Sequence, residues 1–248
     1  MGFILALLYL FIFLMIIRSH SFFKIEGVRN EALRMAFLLK IIAGFVLYYI
    51  YSYYYTDRAT ADIFKYFDDS KVMADALFKK PLDFFKMFFS IQNDTPYFTE
   101  NYYNHMNNWF RVYDSNVFSD SHLIIRFNAF VMLFSFGYYH VHTVFICFLS
   151  FIGLVGLYHF FIEYLPKAKF GLFIAVFLIP SVVFWGSGVL KEGLIFFALG
   201  LLLFLSVNFI EHFSLWRLTW IAISIIILLY TKIYVFLIVF SLLIYYFT

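Results

Sequence analysis

Apolar runs of span length recur along this chain, each closed by a short polar break. Residues 1–17 carry no charge, and the basic residues Arg18, Lys24, Arg29 and Arg34 follow them. A cleavable signal peptide has its basic region first, so this stretch reads as an uncleaved first span. Residues 35–55 form the second span. They end in the cluster YYIYSYYY, which suits an aromatic belt at a membrane interface. Lys40 lies near the start of that span and is expected to snorkel outward. Residues 141–162, 170–184, 194–209, 218–230 and 233–247 are further apolar runs. Residues 121–136 are amphipathic or a short span. The pattern predicts an all-α polytopic membrane protein with six or seven transmembrane helices in a single membrane domain, residues 1–248.

Between the second and third runs lies a long loop, residues 56–125. Its first half has helical periodicity. Val72, Met73, Ala76 and Leu77 share one face, and Leu82, Phe85, Phe88 and Phe89 share another after Pro81. Pro81 fits the first turn of the second helix. Such helices are expected at the membrane interface. The second half is rich in Asn and Tyr and has no clear period. Its many aromatic residues argue for order.

Composition agrees with lipid as the solvent. Of 248 residues, 64% are apolar and only 13% are charged, more apolar surface than a soluble domain of this size hides. The net charge of +3 is small and says little about partners, and no basic run points to nucleic acid, so none is expected as a partner. The single cysteine, Cys147, allows no intrachain disulfide.

Charge asymmetry predicts orientation. The connectors around residues 18–34, 163–169 and 211–217 are the basic short loops and read as cytoplasmic. That puts the loop at 56–125, the break at 180–193 and Lys232 on the outer face. The loop holds ten of the fifteen acidic residues.

The break at 180–193, PSVVFWGSGVLKEG, is a turn or a re-entrant motif. Lys and Glu at bilayer depth cost about 2.5–3.5 kcal/mol each unless they meet water, protein or each other. Gly186 and Gly188 can expose backbone N–H groups. Ser187 could cap a helix starting near Val189, with Lys191 beside it, and such a terminus suits a phosphate. The alternative is a plain turn with Lys191 at headgroup level. In the loop, Asp62, Tyr66 and Asp69 fall on one side of a helix. A carboxylate partly desolvated at the interface fits a general base. Asp68 and Asp69 could also give oxygen ligands to a divalent cation such as Mg or Mn. The plain alternative is a solvated loop with capping aspartates. Arg126, with His122 one turn before it, and Lys232, beside Tyr234, read as interface anchors. His140 and His142 do not share a helical face, His105 sits in a polar loop, and Asn93-Asp94-Thr95 is a glycosylation sequon. No P-loop, G-x-S-x-G or H-E-x-x-H occurs.

Taken in order, these motifs resemble a known family. A loop opening with ADIFKYFD, a shallow helix led by Arg126, the run FIGLVGLYHFF and then PSVVFWGSGVLKEG are similar to bacterial GT-C-type integral-membrane glycosyltransferases. The likeness is to the branch related to dolichyl-phosphate-mannose mannosyltransferase-like enzymes, spans roughly residues 56–234, and is most specific at P-S-x-x-F-W-x-S-G-x-x-K-E. It implies a multi-span helical enzyme of a bacterial inner membrane with an extracytoplasmic site. The implied partners are a polyprenyl-phosphate sugar donor, a lipid-linked glycan or other cell-envelope acceptor, and membrane lipid. By position it implies Asp62 as the base and Lys191, Arg126 and Lys232 as ligands of the carrier phosphate, with Tyr66, Asp68, Asp69 and Ser187 in support. Such enzymes commonly carry further spans and a C-terminal domain, so the resemblance implies a truncated or minimal member.

Two other functions fit the same pattern. An O-antigen or exopolysaccharide polymerase also uses lipid-linked units on the outer face, and would lean on arginines. A lipid-glycan flippase or assembly subunit would be non-catalytic. A transporter is expected to carry ionisable residues within its spans, whereas the charges here read as lying at span ends.

Overall fold

The computed structural model describes every residue except 56, 59, 111–119, 212 and 248. Among the described residues it is all helical. The helices are α1 (Gly2–Ser19), α2 (Asn30–Tyr53), α3 (Asp62–Lys79), α4 (Pro81–Phe89), α5 (Pro96–Asn101), α6 (His122–Ser135), α7 (Tyr139–Tyr164), α8 (Lys169–Phe177), α9 (Pro180–Trp185), α10 (Lys191–Glu211), α11 (Leu215–Thr231) and α12 (Ile233–Phe247).

Four of these, α1, α2, α7 and α10, are long and apolar enough to cross a membrane. Helices α6, α11 and α12 are apolar but shorter. The expected run at 170–184 is not one helix. It divides into α8 and α9 at residues 178–179, because Pro180 has no N–H to continue the helix and instead fits the first turn of α9. The seven expected runs outside residues 121–136 thus correspond to four full-length helices, two shorter ones, α11 and α12, and a broken segment, while the amphipathic stretch at 121–136 is the short helix α6.

Helix α7 is the central post. It packs along α10, α1 and α2. The closest approach is made by glycines. A Cβ on Gly200 would lie 1.8 Å from the Gly153 carbonyl oxygen, and one on Gly156 would lie 2.8 Å from the Gly200 carbonyl oxygen. Only hydrogen at these positions lets the two backbones touch. Gly193 meets Ile146 and Gly200 meets Gly153, so α10 runs in the same direction as α7.

The two ends of the bundle differ. At one end Tyr48 of α2, Tyr139 of α7 and Phe64 of α3 form a ring cluster, with centroids 4.9–5.7 Å apart. The helices of the 56–125 segment sit there as a cap. Helices α3 and α4 meet at Pro81, which occupies the first turn of α4 as its rigid φ requires. The polar half of the segment holds the short helix α5 and a 3-10 turn at Tyr103–His105, which the sequence pattern did not signal, and residues 111–119 of it lie outside the described residues. At the far end Lys169 pairs with Glu26 at 2.7 Å and His159 Nε2 meets the Phe22 carbonyl at 2.8 Å.

Helix α6, on which α3 packs, is fastened to the post by a fully buried polar triad. His142 Nδ1 lies 2.8 Å from Asn128 Oδ1, and its Nε2 lies 2.8 Å from Ser135 Oγ. Asn128 donates its amide to the Ile124 carbonyl, which leaves its oxygen for His142. Buried polar groups joined in this way fix one arrangement of α6 on α7.

Candidate functional site

The 186–190 segment between α9 and α10 lies deep beside α2. A Cβ on Gly186 would meet Lys40 Nζ, one on Gly44 would meet the Ser187 carbonyl, and one on Gly188 would meet Leu47. These contacts put the segment level with residues 40–47 of α2. By helical rise that is about 9–20 Å below the end of α2 at Tyr53. The break is therefore sunk within the bundle, where irregular backbone needs protein partners.

Those partners are specific. Lys40 does not snorkel. It is 1% exposed, and its ammonium donates to the Gly186 carbonyl at 3.0 Å. The reason is spatial: Gly186 offers Lys40 an acceptor that has left the helical ladder. Cys147 Sγ lies 3.4 Å from the Ser187 carbonyl. Ser187 does not cap the next helix. Its hydroxyl is fully buried and donates back to the Val183 carbonyl, and α10 starts at Lys191 rather than near Val189.

Lys191 is 7% exposed, so it does not sit freely at a headgroup surface. Its ammonium lies 2.5 Å from Asp120 Oδ2 and 5.6 Å from the centroid of Tyr66. Lys232, between α11 and α12, approaches the same Asp120 oxygen at 4.0 Å. Two ammonium groups from two separate breaks in the helical chain thus face one carboxylate. A cavity of about 310 Å³ opens beside it, lined by Asp120, Tyr230 and Ile233.

The aspartates of α3 separate. Asp62, the first residue of the helix, is exposed, and the Asn108 side-chain amide approaches it at 3.4 Å. Tyr66, one turn on, is fully buried under Lys191. Lys191 therefore meets α3 at Tyr66. Asp68 accepts two hydrogen bonds from Arg58, at 2.6 and 2.8 Å. Asp69 is fully buried and accepts from the backbone N–H of Asn107 at 2.6 Å and of Asn108 at 2.7 Å. Burial pushes its carboxyl above the ordinary value, against the opposing pull of those N–H groups. Asp68 and Asp69 hold different partners and do not converge on a cation site. Among the described residues no group of three or more His, Cys, Asp or Glu side chains is placed to hold a metal.

Arg126 stands apart from the two lysines. Its Nε donates to the Met87 carbonyl at 2.9 Å, and its guanidinium lies 5.3 Å from the Trp109 ring. Trp109 stacks on His122 at 3.8 Å and on Tyr103 at 4.5 Å. Burial pushes the Tyr103 phenol up to about 12, so at neutral pH it stays a donor, bonded to the Asn93 carbonyl at 2.9 Å. These residues line a cavity of about 240 Å³ together with Tyr230, which also lines the cavity at Asp120. The expected trio of basic residues is thus a pair, Lys191 and Lys232, and a neighbour across Tyr230.

Sequence reasoning missed Asp120, Trp109, Asn107 and Asn108. Asp120 stands just before α6 in a stretch without period, 71 residues from its partner Lys191. No local signal links them.

No protein-family model matches the chain, and no curated protein and no solved structure matches it.

Proposed function

We propose that the protein is a GT-C-like membrane glycosyltransferase that transfers a sugar from a polyprenyl-phosphate carrier to a cell-envelope acceptor. The observation that carries this reading is the meeting of Lys191 and Lys232 on one carboxylate oxygen of Asp120. The arrangement suits a monoanionic group at the first turn of a long helix, where backbone N–H groups add to the field. In the proposed reaction a carrier phosphate takes the place of the Asp120 carboxylate against the two ammonium groups. Asp62 accepts the proton of the acceptor hydroxyl. The acceptor oxygen bonds to the anomeric carbon with inversion, the bond from that carbon to the phosphate oxygen breaks, and the carrier leaves as its phosphate. On this reading the cap end of the bundle faces outward from a bacterial inner membrane, with α11 and α12 completing the spans.

The test is transfer of radiolabelled sugar from polyprenyl-phosphate donors in membranes carrying the protein. Asp62→Asn is expected to abolish transfer with insertion intact, and Lys191→Gln to weaken donor use. An Asp62→Asn protein with unchanged transfer overturns the assignment.

A second reading, polymerisation of lipid-linked repeat units, is favoured by the separate Arg126 cavity. There, Arg126→Ala would cost more activity than Asp62→Asn. Lys40, buried in the middle of α2, is an ionisable residue within a span of the kind a transporter is expected to carry.

A further inference from the structure

The cavity of about 240 Å³ at Arg126 is lined by polar groups that do not pair with one another. Arg126 brings only donors. Its Nε is taken by the Met87 carbonyl, and its two terminal nitrogens meet no carboxylate among the described residues. Asp94, exposed on the rim, brings only acceptors. Its carboxylate takes no hydrogen bond or ion pair among the described residues. Ser90 and Asn93 complete the polar rim. The Asn93 amide already donates to the Tyr103 hydroxyl at 3.0 Å, which leaves its side-chain oxygen as an acceptor.

A guanidinium and a carboxylate that line one space without meeting suit a ligand with donors and acceptors together. Hydroxyl groups supply both. A bare phosphate satisfies Arg126 but offers Asp94 no donor and repels it. The walls are aromatic. Trp109 is held between Tyr103, at 4.5 Å, and His122, at 3.8 Å, so neither of its faces is open to a ligand. Phe110 and Tyr230 keep part of their rings exposed at the cavity and can take the C–H face of a sugar ring. The volume lies below the roughly 300–1,000 Å³ of a drug-sized site, which suits a single ring. A carboxylate on that ring would give the half-buried Arg126 a counter-ion through its planar fork.

We propose that this cavity is a saccharide site for one hexuronate unit of an acidic glycan. The sugar carboxylate lies on Arg126, and the ring hydroxyls lie on Asp94, Asn93 and Ser90. The assignment replaces a carrier phosphate at Arg126 with a sugar carboxylate. It also names a class of acceptor. Tyr230 borders both this cavity and the one at Asp120, so a glycan held here extends toward Lys191 and Lys232. Only that acceptor role rests on the transfer reading, whereas the binding site stands on the cavity alone.

The test titrates the full chain in phosphatidylcholine nanodiscs with trisaccharides of glucuronate, galacturonate and mannuronate. The comparison ligands are the matching neutral hexose trisaccharides, and the same neutral ones carrying a 6-phosphate on the terminal sugar. At least one uronate ligand is expected to bind about tenfold more tightly than its neutral match, the scale of one charge-assisted pair. Arg126→Gln should level the two. Asp94→Ala, at an exposed position that does not threaten the fold, should weaken acidic and neutral ligands alike by about fivefold. It decides the matter if Arg126→Gln does not fold. No binding by any uronate, equal affinity for the acidic and neutral ligands, tighter binding of the 6-phosphates, or an Asp94→Ala protein that binds like the wild type would overturn the proposal. Sugar transfer and its loss in Asp62→Asn are read in a separate assay. Uronate binding by a chain that transfers no sugar would leave the saccharide site standing and remove only the acceptor role.

Discussion

The ammonium of Lys40 donates to the carbonyl of Gly186 across 146 residues of chain, inside the bundle. It ties the mid-point of α2 to the one place where the α9–α10 backbone leaves the helical ladder. Replacing Lys40 by Met keeps the volume and removes the donor. The unsatisfied carbonyl should cost about 1–3 kcal/mol. The expected sign is local: faster amide hydrogen exchange at residues 186–190 than in α7. Unchanged exchange there would mean that packing alone holds the break.

Helices α7 and α10 meet at glycines, and their cost of substitution should be steep. Gly200→Ala drives a Cβ onto the Gly153 carbonyl at 1.8 Å. Backbone against backbone cannot relax as a side chain does, so a loss at the upper end of the overpacking range, about 3 kcal/mol, is expected. Gly171→Ala is the control, since nothing lies within 4 Å of its Cβ. Thermal unfolding in detergent should separate the two, and equal stabilities would refute the close crossing.

Asp69 latches residues 107–108 onto α3. Asp69→Ala should cost about 1–3 kcal/mol, because two backbone N–H groups lose their acceptor. The pH dependence has a definite sign. Burial raises the folded-state value above the unfolded one. Protonation then favours the folded chain, and this contribution is full below the unfolded value and lost as pH rises through the folded one. The stability of the wild type relative to Asp69→Asn should therefore fall as pH increases above 3.8. A difference that grows with pH would contradict the assigned burial.

Asp120 competes for the cations that the proposed carrier phosphate needs. Asp120→Asn removes that competitor, so binding of a long-chain phosphate to Lys191 and Lys232 should tighten, by up to about tenfold. Weaker binding, measured with labelled polyprenyl phosphate, would mean that the carboxylate positions the lysines instead of blocking them.

Much of the scaffold was legible in the sequence because it is periodic. Apolar runs marked α1, α2, α7 and α10, and the proline at 81 marked the start of α4 with its fixed φ. The same reasoning placed a break after Pro180. What it could not give was depth. Lys40 reads as an interface residue when it is counted from the expected span start at residue 35, but α2 begins at Asn30, and its partner Gly186 is invisible without the fold. The candidate site was legible in part. Lys191 comes to lie beside Lys232 and Tyr66 in the fold, a grouping that helix faces do not give, whereas Asp68 and Asp69, adjacent in sequence, hold different partners. Asp120 and Trp109 lay in an aperiodic stretch, where spacing carries no information about direction.

The glycine crossing of α7 and α10 also decides where the molecule can yield. Two backbones in direct contact cannot slide by a residue without driving a Cβ into a carbonyl, so the pair behaves as one stiff beam. Lys191, at the head of α10, is anchored to that beam. Any adjustment of the break to a bound group must then be taken up on the other flank, by the short helices α8 and α9 and the joint at Pro180. Compliance and charge are thus divided between the two arms of the same hairpin, with the rigid arm holding the cation.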